Sequence, residues 1–239
     1  GINNNLIDRA DDDGVNLIIT CDNGIAAIDA VLYAKSKGID IIITDHHEVP
    51  KIIEADKEKE LIPHASAVID PKQSSCSYPF EDICGAVVAF KLIEYLYLIK
   101  GVDKEEFYES FLPFAAIATV CDVMPLKNEN RIIVSQGLKY LRETKHLGLN
   151  ALIEASDIKK SEIDVYHLGF IIGPTINSSG RLESAKYALE LLLEKDYSLA
   201  LDKAKELREL NYERQKLTQD AFNIIDEKIN RENLLEKQK

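Results

Sequence analysis

Two apolar runs of strand length, Asn16–Thr20 and Ile39–Thr44, flank a stretch of helical spacing from Ile25 to Lys37, and this arrangement constrains the fold most. Ile25, Ile28, Ala30, Val31, Leu32 and Ala34 recur at helical intervals, and Gly38 is placed to end the helix. A strand–helix–strand unit of this length makes its strands parallel, joined by a right-handed crossover. Ala67–Ile69 reads as a third short strand before Asp70-Pro71. Beyond it the pattern turns helical, over Ala86–Ile99, Glu105–Val120, Arg131–Arg142, Leu149–Ala155 and Ser184–Glu194. An apolar segment, Tyr166–Ile172, breaks at Gly173-Pro174. From about Ser198 to Asn230 charges of both signs alternate, as in a helix that is solvated or bridges two domains. The expected class is α/β, with a parallel sheet, helices on both of its faces, then helical segments and a long connecting helix.

Parallel neighbouring strands deliver the residues that follow them to one edge of the sheet, where α/β folds bind ligands. The first strand ends in Cys21-Asp22-Asn23-Gly24 and the second in Asp45-His46-His47-Glu48. Asp122 follows the apolar run Phe114–Cys121 and precedes Met124-Pro125, so it also stands at an element end. One imidazole and two carboxylates suit a divalent cation. Oxygen ligands favour Mg²⁺ or Mn²⁺, and the added imidazole leans toward Mn²⁺. Taken singly, each group has a plainer use. Asp22-Asn23-Gly24 fits a strand-to-helix turn, His46-His47 a loop pair, and Asp122 a loop cap. Asp45 fits a carboxylate that orients a neighbouring histidine.

A second cluster, Gly173–Leu182, surrounds Arg181 with Gly, Asn and Ser. It reads either as a phosphate cradle or as an interhelix loop with Arg181 in a surface ion pair. His64, His146 and His167 lack carboxylate neighbours at ligand spacing and take ordinary surface or core roles. Cys76 and Cys84 read as packing residues.

Composition narrows the partners. A net charge of −12 over 239 residues excludes a broad phosphate-neutralising surface, so any nucleic-acid contact is local or made through cations. No apolar stretch approaches the ~20 residues that span a bilayer. The four cysteines show no Cys-x-x-Cys spacing, which fits a reducing cytoplasm.

In combination these residues resemble the DHH phosphoesterase superfamily, and within it the RecJ-type single-strand exonucleases. Ile18–Gly24 is similar to the second motif of the superfamily, Asp45-His46-His47-Glu48 to its signature, and Ala118–Leu126 to its fourth motif. Tyr78-Pro79-Phe80 with Gly85–Leu92, Leu168-Gly169 with Gly173–Leu182, and Asn211–Gln215 resemble RecJ segments, in RecJ order. The resemblance implies two-metal hydrolysis of single-stranded DNA from the 5′ end, with Mn²⁺ or Mg²⁺. Asp22 would bridge two ions, and His46 and Asp122 would complete the shell of one. His47 would contact the scissile phosphate, Asp45 would support the histidines, and Arg181 and Asn177 would hold the DNA backbone. It further implies cytoplasmic repair partners, a single-strand-binding protein and a RecQ-type helicase, and no membrane. The corresponding domain division is 1–195 for the DHH domain and 196–239 for a connecting helix.

Two departures stand out. Thr175 replaces the Arg usual in RecJ proteins, and the superfamily's first motif, an Asp-x-Asp pair, has no counterpart. Asp11-Asp12-Asp13 does not follow an apolar strand. Together with the missing C-terminal DHH-associated domain, this reads as the middle of a RecJ-like protein, weakly active or inactive alone. Two other expectations follow from the same residues: a phosphodiesterase for short oligonucleotides or cyclic dinucleotides, and a non-catalytic DHH scaffold.

Overall fold

The computed structural model describes residues 1–54, 57–182 and 185–232, with only the backbone of Arg181, Leu182, Asn230 and Glu232. The chain forms two compact units, Gly1–Tyr140 and Leu141–Lys239.

The first unit is built on a three-stranded parallel sheet in the order β1 (Leu17–Ile19), β2 (Asp40–Thr44), β5 (Ala67–Ile69). Between β1 and β2 runs α2 (Ile28–Ser36), so the strand–helix–strand unit forms as its periodicity requires. Ile41 and Ile43 of β2 are buried against Ala30, Val31 and Ala34 of α2 and against Ile7 of α1 (Asn4–Asp12). The short helix α1 was not evident from sequence. Asn3 caps it, its side chain accepting from the Leu6 amide. Also unforeseen is the antiparallel hairpin β3 (Lys51–Glu54) and β4 (Lys57–Glu60), joined across the strands by the ion pairs Lys51–Glu58 and Lys59–Glu54. Being exposed, it has no apolar face to reveal it.

Two long helices follow, α3 (Gly85–Lys100) and α4 (Lys104–Cys121). They pack through an aromatic cluster in which Phe107 lies between Phe90 and Tyr97. Asp103 caps α4, accepting from the amides of Glu105 and Glu106. Then comes α5 (Asn128–Arg142).

The second unit holds α6 (Leu147–Ala155), a short helix α7 (Val165–His167), a π-turn at Leu168–Ile172, α8 (Gly173–Leu182), α9 (Ala185–Leu193) and the long α10 (Tyr197–Glu232). The expected break at Gly173-Pro174 does not occur. Helical backbone runs through Pro174, and the π-turn directly before it absorbs the change of register. Ala200, Ala204, Leu207 and Asn211 bury one face of α10, whereas almost everything described from Gln215 onward is exposed.

No helix among the described residues is long and apolar enough to cross a membrane. Cys84 is buried, in keeping with a packing role, but Cys76 is exposed and does not pack. His167 does have a carboxylate neighbour: Asp164 pairs with its Nδ1 at 2.6 Å in a capping box that starts α7, a structural use.

Candidate metal centre

Parallel pairing carries the candidate ligands to one place. The β1–β2 ladder continues beyond the strands, with the Thr20 amide donating to Ile42 O and the Asp22 amide to Thr44 O. Buried Thr44 reinforces it, its hydroxyl donating to Thr20 O at 2.6 Å. On the other side the Asp45 amide donates to Ile69 O. Asp22, Asp45 and Asp70 therefore follow three adjacent strands at one sheet edge.

At that edge His46 Nε2 lies 3.1 Å from Asp22 Oδ1 and 3.5 Å from Asp122 Oδ2. Asp122 closes α4, with its amide donating to Ala118 O, so a helix C-terminus rather than a strand delivers the third acid. The possible ligand atoms of Asp22, His46 and His47 all lie within 4.8 Å of one another, which adds His47 to the expected set. His46 is buried, while His47, Asp22 and Asp122 are open to solvent.

Backbone strain marks the same spot. Asp22 has φ of +61°, a left-handed conformation uncommon outside glycine. The packing around it is close: a Cβ on Gly85 would lie 2.4 Å from Asp22 Oδ1 and 2.7 Å from its Cα. The first residue of α3 can be nothing larger than glycine if Asp22 is to keep this place. Sequence reading missed that role for Gly85.

Asp45 is 1% exposed and works as an organiser. Its Oδ1 accepts from the amides of His46 (2.8 Å) and His47 (3.4 Å) and pairs with His47 Nδ1 at 2.7 Å. Its Oδ2 accepts from the Ile25 amide at 2.9 Å. Burial pushes its carboxyl up, but these donors outweigh burial and hold it below the ordinary range. Asp45 in turn raises the His47 imidazole above its usual value, chiefly through their hydrogen bond. Burial raises the Asp22 carboxyl, with Asp122 adding to the shift and His46 and His47 opposing it. Two crowded carboxylates, one held up in its pKa, form a site that a divalent cation would relieve.

The Gly173–Leu182 segment differs from expectation. It is helical, and Thr175, Ser178 and Ser179 are fully buried, so it offers no exposed cradle of amides. Thr175 donates to Ile171 O and accepts from Asn211 Nδ2, while Ser178 Oγ lies 2.7 Å from Thr175 O and 3.2 Å from Leu207 O. These residues fasten α8 to α10. Asn177 is exposed on α8. The side chain of Arg181 lies outside the described residues.

Comparison with known proteins agrees with this geometry. The model of the "DHH family, N-terminal domain" matches residues 2–119. Residues 2–119 are thus similar to DHH-family N-terminal domains. The "Single-stranded-DNA-specific exonuclease RecJ" of Bacillus subtilis (strain 168) is 39% identical over 219 residues, which is 90% of this chain and 26% of that protein. Two solved structures share the fold at 28% identity. One, RecJ in complex with Mn²⁺ from Thermus thermophilus, has a TM-score of 0.76 over 91% of this chain and 31% of that one. The other, exonuclease RecJ bound to manganese, has a TM-score of 0.79 over 93% of this chain and 53% of that one. The chain thus spans about a quarter to a half of the proteins it resembles, and the DHH-family match contains Asp22, Asp45, His46 and His47 but stops short of Asp122.

Proposed function

We propose that the protein takes part in metal-dependent hydrolysis of phosphodiester bonds in single-stranded DNA, as a RecJ-like 5′–3′ exonuclease using Mn²⁺ or Mg²⁺. The observation that supports this most is the gathering of Asp22, His46, His47 and Asp122 at one sheet edge, with His46 Nε2 facing both carboxylates. Asp22, His46 and Asp122 hold the cation. A divalent cation held there would supply an activated water and positive charge to stabilise the leaving oxygen of an in-line displacement. Asp45 accepts from His47 Nδ1 and raises the imidazole above its usual value, so protonated His47 would donate its Nε2–H to a phosphate oxygen of the scissile bond. Asn177 and Arg181 hold the DNA backbone, and buried Thr175 takes no part. Residues 1–195 act as the DHH domain and 196–239 as its connecting helix. A single-strand-binding protein and a RecQ-type helicase are the partners we propose on the same resemblance, in the cytoplasm.

Mn²⁺ titration calorimetry on the wild-type chain and on Asp22→Ala tests the metal centre. Saturable binding that Asp22→Ala abolishes is expected, and equal heats for both would remove the assignment. Mn²⁺-dependent shortening of a 3′-labelled single strand by the intact protein tests the activity, and a preference for dinucleotides would redirect the substrate reading.

A further inference from the structure

If His46 meets a cation through Nε2, its other ring nitrogen carries the proton, because neutral imidazole has one donor and one acceptor. His46 Nδ1 is buried and has no hydrogen-bond partner in the structure. A buried N–H without an acceptor is costly, and metal-ligating histidines nearly always donate this proton to a carboxylate, a carbonyl or water. Asp45 does not serve: neither of its oxygens is a partner of His46 Nδ1, and its side-chain pairing is with His47.

The complementary orphan stands one strand over. Asp70 follows β5, and Thr44 and Ile69, the residues before Asp45 and Asp70, are paired across β2 and β5. Asp70 is 2% exposed. Its Oδ1 accepts from the Lys72 amide at 2.9 Å, but its buried Oδ2 has no partner. Asp45 and the ring of His46 both act electrostatically on the Asp70 carboxyl, the first raising and the second lowering its pKa. A donor without an acceptor and an acceptor without a donor are thus buried at the ends of neighbouring strands.

We propose that Asp70 is the positioning residue of His46, its Oδ2 accepting the Nδ1 proton through one bridging water, a common partner for such buried atoms. Asp70 then fixes the tautomer and ring orientation that aim Nε2 at Asp22 and Asp122. The proposal rests on the metal reading above.

The test uses the intact protein with Asp70→Leu, which keeps the branching at Cγ and removes the acceptor, and Asp70→Asn, which keeps the size and one acceptor. Mn²⁺ affinity is read from free Mn²⁺ by electron paramagnetic resonance. Losing such an outer partner lowers metal affinity by about 10- to 100-fold. We expect that loss in Asp70→Leu and a smaller one in Asp70→Asn. In ¹⁵N-histidine-labelled, Mg²⁺-loaded protein, the His46 Nδ1 proton should resonate downfield in wild type and move upfield in Asp70→Leu. Unchanged affinity in Asp70→Leu, or an unmoved Nδ1 proton, would overturn the proposal. Asp70→Asn as weak as Asp70→Leu would also overturn it, making Asp70 a ligand itself. If Asp70→Leu does not fold, the wild-type Nδ1 shift and the Asp70→Asn affinity decide. Absence of Mn²⁺ binding by wild type would instead strike the metal reading.

Discussion

Asp45 shows how one buried carboxylate holds a site together. Its oxygens satisfy the amides of Ile25, His46 and His47 and pair with the His47 ring. Asp45→Ala should destabilise the fold by about 1–3 kcal/mol for each buried donor left without a partner, measurable by urea denaturation. Asp45→Asn tests the electrostatics. In the metal-free wild type, His47 should titrate above its ordinary 6.5, and in Asp45→Asn its midpoint should fall toward that value, as followed by histidine NMR. A raised histidine pKa contributes stability that is present below about 6.5 and fades as pH rises through the folded value. The Asp45→Asn deficit attributable to His47 should therefore be larger at acid pH than above the folded pKa of His47. Gly85 gives a sharper geometric prediction. In Gly85→Ala the new Cβ would lie 2.4 Å from Asp22 Oδ1, so Asp22 must move. Calorimetry should show weakened Mn²⁺ binding and thermal unfolding a lower midpoint. The meeting of Asp22, His46 and Asp122 was legible because they follow apolar strand runs or end a helix. The Gly85 contact was not, since it depends on where the start of α3 lands in space.

At the scale of elements, the parallel strands and most helices could be read from periodicity alone, because each buries a face that repeats at its own period. The misreadings have physical causes. Gly173-Pro174 looked like a break, yet helical backbone runs through it, with a π-turn directly before it that absorbs the change of register. The serines and threonine that suggested a loop satisfy their hydroxyls on backbone carbonyls inside the helix, which composition cannot distinguish from exposure. Close approach of helices is equally silent in sequence. Gly137 in α5 sits against α4, where an added Cβ would come within 2.4 Å of Ala116 Cβ and 2.8 Å of Leu112 O. Replacing glycine by alanine inside a helix ordinarily gains about 0.5–1 kcal/mol. Here the sign should reverse, because overpacking costs about 1–3 kcal/mol. Gly137→Ala is expected to unfold at lower urea concentration than wild type, with an unchanged m-value.

For the whole molecule, charge decides how DNA can be held. A chain of net charge −12 repels a polyanion at long range, and its candidate catalytic edge exposes Asp22 and Asp122. A divalent cation at that edge would offset the two carboxylate charges of Asp22 and Asp122 and offer a phosphate a local positive contact, without changing the field elsewhere. Binding of a short single-stranded oligonucleotide should therefore require Mn²⁺ or Mg²⁺ and vanish on chelation. Its salt dependence should also be shallow. Each phosphate neutralised on a single strand contributes about −0.7 to the slope of log K against log salt. Contact confined to one cation centre and one or two backbone-holding residues should give a slope of roughly −1 to −2, well short of the steep values of basic nucleic-acid-binding surfaces, by the same relation. Fluorescence anisotropy of a labelled oligonucleotide across a salt series, at fixed Mn²⁺, measures it. Tight binding in chelator, or a slope that demands many phosphates, would mean that the strand lies on a basic surface and that the acidic edge is not what holds it.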